Sequence, residues 1–374
     1  MKWLEDVLET PQRAPAECVV EVGGMDLALH GLYPLLREVR VETSRSEAAT
    51  ATLIFDNRRD VRGRWDVQDE DLFAPWQPVD IAVVFGAGRR ETVFRGYVRE
   101  AQGEYPEDGG AATFTVTCQD TSLRLDREHR RVQWAQEARI TTEGQVLRSI
   151  LGRYGLAPIG VGGVDDRQVD NLSQDDTDIK FLRKRAEANG YELIFYPDGV
   201  YFGPMRLTAE PQAPLRVYAG NGTNCLSLQI REDAQQPDRI RVQIPAERGD
   251  ASRDEELTAD LPVLGRRSAD SEGRGLEPFV WTLGQGAGND RERLRAQAQT
   301  KINEADIRRV VAEGELDGSL YGHVLRVGLP VTVDGVGTRQ GGIYYVDRVS
   351  HRIDASGYRQ SFTLLRNAVG ERFP

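Results

Sequence analysis

Long apolar runs, cysteine and histidine are all scarce in this chain of 374 residues. No apolar run approaches the roughly 18 residues that a membrane-spanning helix needs, so we expect no insertion into a bilayer. Cys18, Cys118 and Cys225 are far apart and in no metal-ligand spacing, which supports neither a disulfide scaffold nor a zinc site. Acidic residues outnumber basic residues by 59 to 48, giving a net charge of −11, and this balance disfavours a specific nucleic-acid partner.

An N-terminal arm, residues 1–15, begins with an amphipathic, acidic stretch and lacks the apolar segment of a signal peptide. We therefore expect the protein to fold in the cytoplasm. The hydrophobic share of 39%, together with 38 glycines, is that of an ordinary globular chain. The length predicts two or three domains.

Residues 16–126 have the pattern of successive strands. Apolar and polar residues alternate in Val79–Val83, Val93–Val98 and Ala112–Val116, as in strands with one buried face. Gly23 and Gly24 supply the left-handed backbone positions that a short hairpin needs. The sequence predicts one antiparallel β-domain here, a barrel or a sandwich.

Residues 127–225 change to helical periodicity. Thr142–Gln145 is a capping box ahead of an apolar helix face. A second helix is predicted to begin at Asp176–Asp178, where acids suit the positive helix start, and to end at Asn189. A strand–turn–strand hairpin follows at Tyr191–Phe202. We predict a small α+β module inserted between two β regions.

Residues 226–374 return to strand patterns and are predicted to form a second β-barrel domain. The stretch 245–278 is polar, charged and dotted with glycine, so we expect a flexible loop. A helix is predicted over 290–312, with Gly314 as its end. Three closing strands follow, around Val331, Tyr344 and Phe362.

The closing strands repeat the end of the first β-domain. The corresponding pairs are Pro78 and Pro330, Tyr97 and Tyr345, Val98 and Val346, and Phe114 and Phe362. We interpret this similarity as two related antiparallel β-barrel domains that flank the α+β module. The predicted fold class is therefore mainly β with an α+β insert.

A glycine-rich turn and several acidic clusters are the motifs that come nearest to a site. Gly284, Gly286 and Gly288 lie between a predicted strand and a helix, but Asn289 stands where a dinucleotide-binding fingerprint needs its third glycine. The acidic clusters lie in turns and caps, where backbone donors or water satisfy carboxylates. They are Glu104–Asp108, Asp175–Asp178 and Asp254–Glu256. Calcium at the second cluster would lack the spacing of an EF-hand loop.

Four histidines, His30, His129, His323 and His351, match no metal-binding or catalytic-triad motif. Nothing in the sequence demands catalysis. We therefore predict a protein that is not an enzyme, with no catalytic, cofactor-binding or metal-binding residues and no cofactor.

Two blocks of sequence carry a family resemblance. One comprises Asp175–Arg183, Ala186–Leu193 and Gly199–Gly203, and the other comprises Gly314–Gly318, Leu325–Val333 and Tyr344–His351. Together with Phe362 in the last strand, they resemble the baseplate hub proteins of contractile phage tails and related injection systems. That family includes the phage late control D proteins and the hub part of type VI secretion spikes.

The resemblance implies a homotrimer in which each chain supplies two related β-barrels, so that three chains form a pseudo-sixfold ring. Such a ring would adapt a hexameric tail tube to a trimeric spike. The expected partners are the tail tube protein, the spike protein and other baseplate components. We expect assembly in the bacterial cytoplasm and a place in a phage virion tail or an injection particle.

The family's long β-helical needle and its valine–glycine repeats have no counterpart in this sequence, which ends at Pro374. We therefore expect the spike to be a separate polypeptide. Two alternatives stay open: a cell-envelope polysaccharide hydrolase and a carbohydrate-binding protein, both built on β-domains. Two converging, partly buried acids in a groove would favour the hydrolase.

Overall fold

Strands dominate the computed structural model, which describes residues 16–69, 71–107, 111–136, 142–160, 172–244, 253–270, 277–283 and 291–371. The strands up to residue 133 are β1 (Glu17–Val22), β2 (Met25–Asp26), β3 (Leu36–Ser44), β4 (Thr50–Asp56), β5 (Pro78–Phe85), β6 (Arg89–Glu104), β7 (Thr113–Asp120) and β8 (His129–Gln133). Those of the middle of the chain are β9 (Pro158–Ile159), β10 (Ser173–Thr177), β11 (Glu192–Tyr196), β12 (Gly199–Gly203) and β13 (Gln212–Arg216).

The remaining strands follow from residue 225 onward. They are β14 (Cys225–Glu232), β15 (Arg239–Ile244), β16 (Arg253–Leu257), β17 (Arg267–Ser268), β18 (Val280–Leu283), β19 (Val310–Asp317), β20 (Pro330–Asp334), β21 (Gly342–Asp354), β22 (Gly357–Arg366) and β23 (Ala368–Val369). The described α-helices are α1 (Glu143–Arg153), α2 (Asp178–Asn189), α3 (Arg291–Ile307), α4 (Gly318–Tyr321) and α5 (Gly337–Gln340). No described helix is long and apolar enough to cross a membrane.

Thirteen strands form one continuous sheet. Its main path is β14-β19-β22-β21-β3-β4-β7-β6-β5-β1-β2, and β20 and β13 branch from β21. Neighbours along this path are antiparallel, whereas β13 and β20 are parallel. The prediction of a mainly β, largely antiparallel fold is confirmed.

The two halves of the sheet repeat one strand order. β3-β4-β7-β6-β5 in the first half corresponds to β14-β19-β22-β21-β20 in the second, and both sets follow the same order along the chain. Pro78 lies opposite Tyr97, and Pro330 lies opposite Tyr345, as the sequence comparison predicts. The backbone before each proline strand also matches, because Trp76 (φ 72°) and Gly328 (φ 68°) both adopt the left-handed conformation.

Two pairs of β-bulges align the repeats residue by residue. Arg99 is the extra residue of β6 against β7, and Asp347 is the extra residue of β21 against β22. Arg37 of β3 and Leu226 of β14 are the extra residues of the second pair. Since a bulge bends a strand and increases its twist at a fixed place, the two repeats bend alike.

This alignment corrects one detail of the sequence comparison. Val98 pairs with Cys118, whereas Val346 pairs with Leu364. The connection between β6 and β7 is therefore two residues longer than that between β21 and β22, and the match of Phe114 with Phe362 is wrong by two residues. The error leaves both side chains on the buried face because side chains in a strand alternate with period two.

The two predicted β-barrel domains share one sheet, and no closed barrel is found among the strands that the structure describes. β21 pairs with β20 through Gly342–Tyr345 and with β3 through Arg348–Asp354, so this long strand joins the two halves. Among the described strands, β14 pairs only with β19, and Glu100–Glu104 of β6 pairs only with β7. The outer side of β14 in the second half and the outer side of Glu100–Glu104 in the first half are therefore open edges. The corresponding edges, on β3 and β21, pair with each other.

The helices and hairpin predicted between the two β regions are present. The Thr142 hydroxyl caps α1 by accepting a hydrogen bond of 3.3 Å from the Gln145 amide. Gly190 ends α2 in the left-handed conformation, and β11 and β12 form the hairpin. Trp134, Leu147, Ile150, Phe181 and Phe202 belong to the buried cluster that holds these elements together.

Helix α3 ends at Ile307 and not at residue 312, because the chain enters β19 at Val310. Gly314, the predicted helix end, lies within β19 opposite Phe362. A Cβ atom on Gly314 would lie only 2.3 Å from the Ser227 carbonyl oxygen, so glycine allows β14 to approach.

The predicted flexible loop 245–278 contains strands where the structure describes it. β16 pairs with β15, and β17 pairs with β23. Four consecutive charged residues, Arg253–Glu256, give β16 the sequence pattern of a polar loop, and only its pairing with β15 makes it a strand. Residues 245–252 and 271–276 lie outside the described residues, as does the predicted arm 1–15.

Candidate interaction surface

A polar groove follows the junction of the two halves of the sheet. Val39, Val41 and Val349 are buried on one face of the paired strands β3 and β21. The alternate side chains project from the other face into an open groove of about 580 Å³. The residues that line it are Arg40, Glu42, Leu226, Glu315, Ser350, Arg352, Asp354, Ser356, Arg359 and Ser361.

Charges of both signs are paired within this groove. Arg352 Nε lies 3.0 Å from Glu38 Oε2 and 2.9 Å from Asp354 Oδ2. The Ser350 hydroxyl donates to Glu42 at 2.7 Å. Hydrogen bonds from Ser356, together with Arg352, hold the pKa of Asp354 below its usual range. A general acid needs a raised pKa, so these paired carboxylates suit a hydrated lining better than a catalytic centre.

A carboxyl group with a raised pKa does occur at Asp120, at the end of β7. Burial raises its pKa to about 6, although the Ala49 amide (2.6 Å) and the Ser122 amide (3.0 Å) both donate to it. Asp120 borders a cavity of about 40 Å³, which has room for water and not for a sugar ring. Sequence reasoning missed Asp120, which caps the short 3₁₀ helix Thr121–Asp126, although an acid followed by Thr121-Ser122 is a helix-cap signal.

Arg45 ties together four elements at the junction of the halves. Its Nη1 lies 2.7 Å from Glu192 of β11, its Nε lies 2.8 Å from Asp347 at the β21 bulge, and its Nη2 lies 3.4 Å from Glu304 of α3. The Tyr345 hydroxyl donates to the second Glu192 oxygen at 2.7 Å. Burial raises the pKa of Glu192 against the lowering effect of Arg45. This cluster has the character of a structural tie, because every charged group in it has a partner.

The cysteines and histidines named in the sequence analysis form no metal-binding group among the described residues. Cys118 and Cys225 are buried and Cys18 is half-buried, and burial raises the pKa of all three thiols. His351 is fully buried, lies 2.8 Å from the Tyr358 hydroxyl, and has a pKa lowered by burial to about 3. His129 lies 3.6 Å from Asp175, and His323 lies 3.3 Å from Glu91.

The acidic clusters form ion pairs instead of converging. Asp178 is buried and accepts hydrogen bonds from Arg153 at 3.1 Å and from Tyr154 at 2.9 Å. Asp176 pairs with Lys184 at 2.5 Å. In the third cluster, Glu256 pairs with Arg241 and Glu255 pairs with Arg295. Across the described residues, no group of three or more histidine, cysteine, aspartate or glutamate side chains could hold a metal ion.

Two of the sequence candidates fall elsewhere. In the first acidic cluster Glu104 and Glu107 are exposed, and Asp108 lies outside the described residues. The glycine-rich turn with Gly284, Gly286 and Gly288 also lies outside them.

Solved structures share this fold along almost the whole chain. The 43 kDa tail protein of prophage MuSo2 from Shewanella oneidensis has a TM-score of 0.64 at 16% identity, covering 95% of this chain and 99% of that one. A tail protein from Neisseria meningitidis MC58 has a TM-score of 0.64 at 12% identity, covering 96% and 100%. The E. coli c3393 protein, a component of the type VI secretion system, has a TM-score of 0.53 at 12% identity, covering 93% and 76%.

No curated protein matches the sequence. The family model of the Alg8 N-terminal domain matches residues 18–355, which is most of the chain. The chain has the fold of these tail proteins and belongs to the Alg8 N-terminal domain family.

Proposed function

We propose that this protein is the structural hub of a contractile tail or injection-system baseplate. It forms a trimer that joins a hexameric tail tube to a trimeric spike, which is a separate polypeptide. It is a component of a phage virion or an injection particle, and it catalyses no reaction.

The observation that carries this proposal is the duplicated five-strand unit. Three copies of a chain with two equivalent units present six similar units in a ring while keeping a true threefold axis. A ring of this kind can contact a sixfold partner on one side and a threefold partner on the other. The shared bulges at Arg99 and Asp347 support the equivalence, because they give both units the same local shape.

Relatives in structure support a place in a tail. Two of the similar structures are described as tail proteins, and the E. coli protein is described as similar to the T4 bacteriophage tail proteins gp27 and gp5. Their low sequence identity makes them guides to the fold, so the trimer and its partners rest on the repeat.

We further propose three functional regions within the chain. Residues 16–126 and 226–374 supply the two equivalent units. Residues 127–225 form the module that lies between them along the chain, and the last strand of this stretch, β13, joins the second unit by pairing with β20. The polar groove marks the face that lines the central channel. Its paired charges of both signs would hold water and would give a passing polymer no dominant sign of charge to bind.

The hydrolase alternative lacks its key feature in the part of the chain that the structure describes. Carboxylates in the polar groove are ion-paired or hydrogen-bonded to hydroxyls, and Asp120 borders a cavity too small for a sugar. A glycosidase needs two facing carboxyls across a cleft that admits its substrate.

The mass of the purified protein in solution tests the proposal. Light scattering should give three times the chain mass of 41.8 kDa, and addition of the tail tube protein from the same particle should give a larger complex. A strict monomer that also fails to bind tube protein would overturn the hub. Release of reducing sugars from cell-wall polymers would overturn the non-enzymatic role.

A further inference from the structure

The two halves of the chain contact each other through one strand pairing, which has a defined register. β3 of the first half pairs antiparallel with β21 of the second, with Glu42 opposite Ser350 and Arg40 opposite Arg352. The Thr43 hydroxyl donates to the Val349 carbonyl oxygen at 3.1 Å. This pairing buries Val39 and Val41 almost completely.

The repeat contains a second copy of each of these two edges. β14 is the counterpart of β3, and the second part of β6, from Glu100 to Glu104, is the counterpart of the part of β21 that β3 covers. Within the described residues, neither edge has a strand partner on its outer side. One chain therefore displays both halves of a contact that it already makes internally.

We infer that β14 of one copy pairs antiparallel with the Glu100–Glu104 edge of β6 in a second copy. This inference rests on the proposed trimer and specifies its contact. Transferring the register of the internal pairing places Gln102 opposite Arg231, Glu104 opposite Gln229, and Tyr105 opposite Leu228. Because the two edges differ, the contact is head-to-tail, and it generates a ring when the rotation from copy to copy closes on itself.

Apolar side chains at the two edges are exposed in the single chain and would be covered by the pairing. Leu228 and Ile230 of β14 are only partly buried, although their counterparts Val39 and Val41 are buried. Tyr105, at the other edge, is 53% exposed. A partner strand on each edge would remove these side chains from water, which is the main driving force for association.

Around Arg231 the same register brings opposite charges together. Arg231 would lie opposite Gln102, with Glu100 and Glu104 as its diagonal neighbours on the same face of the sheet. Cross-strand neighbours of opposite charge stabilise a strand pair. Among the described residues, no carboxylate lies within ion-pair distance of Arg231 in the single chain.

Disulfide trapping tests the register directly. The Gln102→Cys/Arg231→Cys variant of the full chain should form covalent trimers under mild oxidation, because directly opposite residues place their Cβ atoms about 5 Å apart. The control Gln102→Cys/Ser227→Cys moves one cysteine four residues along the same strand, about 13 Å away, and should form covalent trimers at least about tenfold more slowly. The single variants Gln102→Cys and Arg231→Cys show whether either new cysteine forms a disulfide with Cys18, Cys118 or Cys225.

A charge exchange tests the same contact without cysteines. Arg231→Glu should raise the dissociation constant of the trimer about tenfold, since it replaces two attractive contacts by two repulsive ones. Adding Glu100→Lys and Glu104→Lys to that variant should restore assembly. Arg131→Glu, at an exposed position on β8, should leave the assembly unchanged.

The outcomes separate this inference from the proposed function. A trimeric wild type whose control pair links as fast as the predicted pair, or whose Arg231→Glu variant assembles normally, would overturn the edge pairing and leave the hub standing. A wild type that stays monomeric alone and with tube protein, with no links in either cysteine variant, would overturn both.

Discussion

Replacing Arg45 by methionine should destabilise the protein strongly. Methionine keeps much of the side-chain volume but removes the charged partner of Glu192, whose carboxylate is buried and lies 2.7 Å from the Arg45 guanidinium. Removal of one member of a buried ion pair typically costs about 3–5 kcal/mol, because the other charge is left without compensation. We place Arg45→Met in that range because Glu304 and Asp347 also lose a contact, although both are more exposed.

Urea unfolding at two pH values provides the assay. In Arg45→Met, the pKa of Glu192 should rise further above its usual value, so the folded state holds a proton that the unfolded state releases. Stability then falls as pH rises, and the variant should lose less stability at pH 5 than at pH 7.5. The double variant Arg45→Met/Glu192→Gln should recover part of the loss, because a neutral amide is cheaper to bury than a carboxylate.

Three results bear on this reasoning. A loss below about 1 kcal/mol would show that Arg45 behaves like a surface ion pair. Equal losses at both pH values would contradict the buried carboxylate. A double variant no more stable than Arg45→Met would place the cost in lost packing and not in charge.

Three further predictions address the fold. Between pH 6.5 and pH 3 the unfolded chain binds a proton at His351 and the folded chain does not, so the free energy of unfolding of the wild type should fall as pH falls. His351→Gln should reduce the slope of the free energy of unfolding against pH by about 1.4 kcal/mol per pH unit in this range. Identical slopes for wild type and variant in urea unfolding would refute this prediction. Val346→Lys should cost about 3 kcal/mol or more through burial of a charge. Ser361→Lys, on the exposed face of β22 and opposite Glu315, should change stability by less than about 0.5 kcal/mol, and comparable thermal midpoints for the two variants would contradict the strand assignment. Gly335→Ala and Gly337→Ala both strain a backbone in the left-handed conformation. A Cβ atom at position 335 would lie 1.7 Å from the Val217 carbonyl oxygen, whereas one at position 337 would have no atom within 4 Å. Gly335→Ala should therefore be at least about 1 kcal/mol less stable than Gly337→Ala in denaturant unfolding.

Local patterns predicted the elements whose signals are local. The cap at Thr142 and the alternating residues of β5 and β6 identified a helix and two strands, because capping and one-sided burial leave a trace within a few residues. The helix predicted over 290–312 overlaps the first three residues of β19, because only pairing with β22 makes Val310–Asp317 a strand.

The junction of the two halves could not be predicted in this way. Arg45 is separated from Glu192 by 147 positions and from Asp347 by 302, so no sequence spacing connects them. The sequence repeat predicted two equivalent units but not that β3 would cross over to β21. That crossover replaces two closed barrels by one open sheet, and it decides which edges stay exposed.

The matched bulges also bear on how many copies can meet. The proposed ring contains two kinds of seam: the β3–β21 pairing inside each chain and the β14–β6 pairing between chains. If Arg37 and Leu226 bend their strands by the same amount, the angle between neighbouring units is the same at both kinds of seam. The angle would be inherited from the internal seam and would not depend on any partner. Deleting Leu226 would straighten β14 and so change the angle at the seams between chains only. The angles around the ring would then no longer add up to a full circle at the same number of copies.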